Sequence, residues 1–336
     1  MANPSEDVAV LLGDAKVEEA NVSRYFVDQQ VKDNDIAILV IGRNSGEGAD
    51  RRVEDDFEIS AAERQLMGDV CNAFHLAGKK VVVVLNIGGI IETASWKNLP
   101  DAILCAWQPC QEGGDAVADV LTGKVNPSGK LPMTMPVAFL DHPSSFNFPL
   151  GNEPKPHPYA ALFGGKQEPV KNVDYTPYEE DIWIGYRHFD THGVPVSYPF
   201  GYGLSYTTFE YSKPVVKANN EGGFTASVTV TNTGSVAGKE VVEVYVAAPA
   251  GGLEKPAKEL KAFAKTGLLA PGASETLTFN VDSYILASFN EKANQWERAA
   301  GTYRVYFGKN ELEAPLQGTF SLKKADTFPV SDAYVK

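Results

Sequence analysis

Cysteine is scarce in this chain, negative charge outweighs positive, and long apolar runs are missing. The three cysteines, Cys71, Cys105 and Cys110, are odd in number and show no CxxC spacing. That excludes a disulfide framework and a thiolate zinc site, and leaves them as buried or partly buried thiols. The five histidines are His75, His142, His157, His188 and His192. Only His188 and His192 are four apart, and Gly193 and Pro195 argue against a helix there, so no metal site is expected. The net charge of −13 argues against nucleic acid as a partner, because phosphate contacts need a positive face; it fits an uncharged substrate. No apolar run reaches the roughly 18 residues that cross a bilayer, so no membrane contact is expected. The opening residues MANPSEDVAV lack the basic region and apolar core of a signal peptide, and the compartment stays open. There is no GxSxG elbow and no HExxH.

What is present fits about two domains, since 336 residues exceed the roughly 150 of a single one. Residues 1–135 alternate strand and helix signals. A helix is expected over Asn21–Val31 and a buried strand over 36–42. Ser60-Ala61-Ala62-Glu63 is a capping box opening a helix that runs to about Leu76 and stops at Gly78. Lys80–Asn86 (KVVVVLN) is an uninterrupted apolar strand of the kind found in parallel sheets covered on both faces. A further strand is expected over Ile103–Trp107, and a helix over Glu112–Leu121 ended by Gly123. Together these predict an open α/β sandwich with a mostly parallel sheet and its active edge at the carboxyl ends of the strands.

Residues 136–205 are rich in proline and aromatics with weak periodicity, and read as a structured linker. From 206 to 325 the period becomes two. Strands are expected at 224–232, 241–246, 259–265, 274–281, 302–308 and 316–322. About seven short strands with turns between them predict a β-sandwich of immunoglobulin or fibronectin type; lacking a cysteine pair, the fibronectin type III variant is preferred. Residues 326–336 are left as a tail.

The stretch GRNSGEGADRR, residues 42–52, places one acid, Glu47, among Gly42, Gly46 and Gly48 just beyond the first strand. A phosphate loop needs Gly-Lys-Ser/Thr, which is absent, and a dinucleotide fingerprint fails because Arg51 stands where its third glycine belongs. No cofactor is expected. A loop outside the carboxyl end of a strand is where α/β sheets place ligands, and flanking glycines let the backbone approach another surface. A carboxyl there suits a proton donor, although a solvated loop acid fits the spacing as well. Arg43, Arg51 and Arg52 are expected to pair with Asp50, Glu54, Asp55 or Asp56 and hold the loop. Trp107, at a strand end, fits a core position better than a sugar-stacking one.

Five stretches in this order, SGEGADR (45–51), WQPCQEGGDAVADVLTGKVNP (107–127), PSGKLPMTMP (127–136), YEEDIWIGYRHFD (178–190) and YPFGYGLSYTTF (198–209), resemble the carboxyl-terminal part of glycoside hydrolase family three β-glucosidases. The resemblance covers nearly the whole chain from about residue 30; Pro109-Cys110 replaces a pair that is usually small. It implies an α/β sandwich and a fibronectin-type domain. It also implies retaining hydrolysis of terminal β-linked glucose from β-glucosides or oligosaccharides. Glu47 then corresponds to the general acid/base, on a loop that reaches a site built by a barrel domain. The nucleophilic aspartate belongs to that barrel. No eight strand-helix units precede residue 30, so a companion chain or segment is expected to supply it. The PSGKLPMTMP and YPFGYGLSYT stretches are expected to be structural, the second as a hinge into the β-sandwich. Two alternatives stand beside this: a non-catalytic carbohydrate-binding or scaffold module, and, less favoured, a self-contained hydrolase pairing Glu47 with Asp50, Asp55 or Asp56.

Overall fold

The computed structural model describes residues 22–44, 52–146, 155–156, 169–170 and 178–330. They divide into two compact units with boundaries at 89/90, 95/96 and 108/109, so that 90–95 and the chain from 109 onward belong together.

The first unit is built on a parallel sheet in the order β1-β2-β3, formed by Ile36–Gly42 (β1), Lys80–Asn86 (β2) and Ala102–Cys105 (β3). β2 is central, and Val81, Val83, Val84 and Leu85 are buried. β1 corrects the expectation of a buried strand. Among the described residues it pairs on one side only, and Ile36, Ile38 and Val40 are exposed while Ile41 is buried. Its apolar composition suits a strand covered on both faces, but Ile36, Ile38 and Val40 share one face and leave it exposed. β3 ends at Cys105 instead of Trp107, because Trp107 turns to φ 54.

Two helices accompany this sheet. Helix α1, Arg24–Asp33, starts later than expected because Ser23, whose Oγ accepts from the Phe26 amide at 3.3 Å, is its cap. Helix α2, Ala61–Leu76, opens on the expected box. The Glu63 amide donates to Ser60 Oγ at 3.1 Å, and the Ser60 amide donates to Glu63 Oε2 at 2.7 Å. Gly78, at φ 70, turns the chain out of it, as a left-handed residue after a helix does.

In the second unit, helix α3 spans Gly113–Leu121. Two-residue strands Met135–Pro136 (β4), Lys155–Pro156 (β5) and Pro169–Val170 (β6) precede helix α4, Tyr186–His192, and strand β7, Val196–Tyr198; β4 pairs with β7 and β5 with β6. Helix α4 overturns the expectation that 188–192 is non-helical. Gly193 sits in the left-handed region at φ 64, so it ends the helix, and Pro195 lies beyond it, where proline no longer interferes. His188 and His192 therefore do share a face, their ring centroids 4.8 Å apart, with His192 Nδ1 3.0 Å from the His188 carbonyl.

The β-sandwich that follows has eight strands where about seven were expected. Phe209–Tyr211 (β8), Val215–Ala218 (β9), Phe224–Asn232 (β10) and Ser274–Val281 (β13) make one antiparallel sheet. Val241–Ala247 (β11), Glu259–Lys265 (β12), Gly301–Gly308 (β16) and Leu316–Leu322 (β17) make the other. Alternate residues of β10 (Phe224, Ala226, Val228, Val230) meet Val242, Val244, Val246, Val305 and Phe307 in one apolar core. A third sheet, Ser288–Asn290 (β14), Gln295–Arg298 (β15) and Asp326–Pro329 (β18), was not anticipated. Its last strand lies in the stretch read as tail.

The PSGKLPMTMP and YPFGYGLSYT stretches lie against each other. Leu131 N donates to the Tyr202 carbonyl at 2.8 Å, and Gly201 N to the Leu131 carbonyl at 2.8 Å. A side chain on Gly203 would collide with the Gly129 carbonyl, so close backbone approach demands this glycine.

Candidate active site

Glu47, Asp50 and Arg51 lie outside the described residues. What is described are the two stems of their loop, both in the first unit. The entering stem continues the sheet by one residue, the Arg43 amide donating to the Asn86 carbonyl at 3.0 Å. The leaving stem is a tight turn over Val53–Phe57 with Asp55 left-handed at φ 59, anchored by buried Phe57 and Ile59. The Arg52 amide donates to Asp56 Oδ2 at 3.2 Å.

Arg43 joins these stems. Nε donates to the Asp56 carbonyl at 2.8 Å, and Nη1 donates to the Gly42 carbonyl at 2.7 Å. Nη1 and Nη2 also take both oxygens of Glu63, at 2.7 and 2.8 Å. Of the acids expected beside Arg43, Asp56 is there, and Glu63 is an addition. The main carboxylate is Glu63, and Asp56 contributes its carbonyl, with its own carboxylate 3.9 Å away. Distance decides this, because Glu63 sits in the first turn of α2 beside the end of β1, and a guanidinium matches a carboxylate edge to edge. Burial pushes the Glu63 pKa up, but the bonds from Arg43 and Ser60 outweigh it and leave the carboxyl below its ordinary range. The capping box made Glu63 visible in the sequence; its bond to Arg43 carries no local signal.

Trp107 is half-buried, and its carbonyl accepts from the Ile87 amide at 3.1 Å, tying the ends of β2 and β3 together. Left-handed backbone at a bulky residue is strained by about 1–3 kcal/mol. Cys71 is buried and Cys105 half-buried, and burial raises both thiols to about 11, which makes them poor nucleophiles. Cys110 is exposed, contrary to expectation. Among the described residues no three His, Cys, Asp or Glu converge as metal ligands, and no helix is long and apolar enough to cross a membrane.

The profile of the glycosyl hydrolase family 3 C-terminal domain matches residues 14–206, and that of a fibronectin type III-like domain matches 240–311. The chain belongs to glycosyl hydrolase family 3. Among family 3 proteins, beta-glucosidase A of Butyrivibrio fibrisolvens is 37% identical, the match covering 86% of this chain and 38% of that protein. An exo-alpha-(1->6)-L-arabinopyranosidase of Bifidobacterium breve is 35% identical over 88% of this chain and 36% of its own length. Beta-glucosidase 3B from Thermotoga neapolitana, solved in complex with alpha-D-glucose, superposes with a TM-score of 0.83 at 44% identity, covering 94% of this chain and 41% of that one. The chain therefore spans about two fifths of these family 3 relatives.

Proposed function

We propose that this chain is the carboxyl-terminal part of a retaining β-glucosidase that removes terminal β-linked glucose, with Glu47 as its general acid/base. The supporting observation is the family 3 match across a Ser-Gly-Glu-Gly stretch that directly follows the carboxyl end of β1. A barrel domain, on a separate chain or segment, contributes the nucleophilic aspartate. In this proposal residues 1–135 deliver the acid, 136–205 link, and 206–325 form the supporting fibronectin-type domain.

Retaining hydrolysis needs two carboxyls about 5–5.5 Å apart. The aspartate attacks the anomeric carbon while Glu47 gives its proton to the departing glycosidic oxygen. Glu47, now ionised, then takes a proton from water, whose oxygen displaces the aspartate. The acid must stay protonated until it acts. Enclosure in the cleft and the aspartate's negative charge both raise its pKa. Arg43 does not oppose this, because its charge is already matched by Glu63.

The test uses the barrel-containing enzyme. In Glu47→Ala, azide should restore turnover of an activated aryl glucoside and yield a β-glycosyl azide, because azide needs no base. Absence of any azide effect would remove Glu47 from the acid/base role.

A further inference from the structure

The guanidinium of Arg43 has only 8% of its side chain exposed, and the Glu63 partner only 13%. Surface charges do not explain such a pair. A buried ion pair is also a poor source of stability, since desolvation offsets much of the attraction. What it supplies is direction. The planar fork offers five N–H donors in fixed orientation, and four contacts are made from it, to three separate segments. These are the loop's entry at Gly42, its exit at Asp56, and the first turn of α2 at Glu63. The link from residue 43 to 56 bridges a separation of 13 residues, and Glu47 lies inside that span, four residues beyond Arg43. Helix α2 does not need Arg43 for its own start, because Ser60 and Glu63 already cap each other.

The geometry points to Arg43 as a positioning residue: by fastening both stems of the 44–55 loop to each other and to α2, it sets where the Glu47 carboxyl stands relative to the glycosidic oxygen. This rests on the acid/base reading of Glu47. A misplacement of about 1 Å can cost about a hundredfold in rate. Lysine cannot substitute, because one ammonium cannot serve a bidentate carboxylate and two carbonyls in divergent directions.

Two variants of the barrel-containing enzyme test the clamp. Arg43→Lys removes the fork. Glu63→Gln keeps an oxygen for the Ser60 amide, and so the helix cap, but removes the ion pair; it guards against Arg43→Lys failing to fold. The readout is kcat/KM, which reports glycosylation, across leaving groups. For alkyl glucosides, which need the proton, each folded variant should lose about tenfold or more. For a dinitrophenyl glucoside, which leaves unaided, the loss should stay within about threefold, general acid help being the part removed. Glu47→Gln runs as the control. If it loses alkyl activity selectively while Arg43→Lys and Glu63→Gln lose nothing, or lose equally on both substrates, the clamp is overturned and the Glu47 assignment stands. If Glu47→Gln itself shows no leaving-group dependence, the assignment fails and the clamp with it.

Discussion

The Tyr245 hydroxyl donates to Glu243 Oε2 at 2.5 Å, with both side chains buried in the second unit. Burial raises the Glu243 pKa to about 7; the Tyr245 bond and Lys130 oppose the shift, and Glu240 adds to it. The folded state therefore holds this proton more tightly than the unfolded chain. Its stabilisation is greatest below the ordinary value of 4.5 and is lost as pH rises towards about 7. Glu243→Gln, which cannot ionise, should gain on the parent protein by roughly 2–3 kcal/mol between pH 5 and 8, about 4–10 °C in Tm. A difference that does not change with pH would mean that Glu243 titrates normally.

Gly201 lies against that same carboxylate. It is left-handed at φ 80, and an added Cβ would collide with the Glu243 oxygens. Gly193 has a similar φ of 64 but open space around its missing side chain. Gly193→Ala should cost about 1 kcal/mol, the strain of left-handed backbone. Gly201→Ala should cost about 1–3 kcal/mol more, because a buried acid must also move. Urea midpoints measure both; equal losses would show that the Glu243 contact is yielding.

Lys258 answers two acids at once, Asp190 at 2.6 Å and Glu311 at 3.8 Å, all three largely buried. Burial and the neighbouring Asp190 already push the Glu311 pKa up. Removing the cation leaves both carboxyls uncompensated, so Lys258→Met should cost about 3–5 kcal/mol in chemical unfolding. A loss below about 1 kcal/mol would mean that water or a proton replaces the lysine freely.

The chain on its own should not hydrolyse an aryl β-glucoside, since the proposed nucleophile belongs to the barrel. Turnover by the purified 336-residue chain, with no companion present, would show that its own carboxylates suffice.

Acids of the β-sandwich should not affect the chemical step. Glu254 is exposed, and Glu254→Gln in the barrel-containing enzyme should leave kcat within about twofold, surface changes being nearly neutral. Glu259 is half-buried between Arg187 at 4.0 Å and Lys261 at 3.3 Å, so its substitution tests stability instead. A thousandfold loss of kcat in folded Glu254→Gln would move the site into this domain.

Much of the fold was legible because its signals are short-range. Ser60 and Glu63 cap α2 within one turn, KVVVVLN forms β2 over its whole length, and FTASVTVTN alternates through β10. Each depends on neighbours a few residues away, through hydrogen-bond geometry or side-chain period. The glycine-flanked Glu47 was singled out for the same reason. Long-range contacts had no such signal. Arg43 meets Glu63 across 20 residues, edge to edge with its carboxylate, while the nearer Asp56 carboxylate stands 3.9 Å away. Gly201 is required by Glu243, on a strand of the second sheet. The aromatics Phe289, Trp296 and Phe328 align across β14, β15 and β18 only once a strand from near the chain's end pairs with them. Local hydrogen bonding and side-chain period belong to the sequence by itself. Which distant side chain fills a given donor, charge or gap was decided by the tertiary structure, because only the packed chain brings those groups within bonding distance.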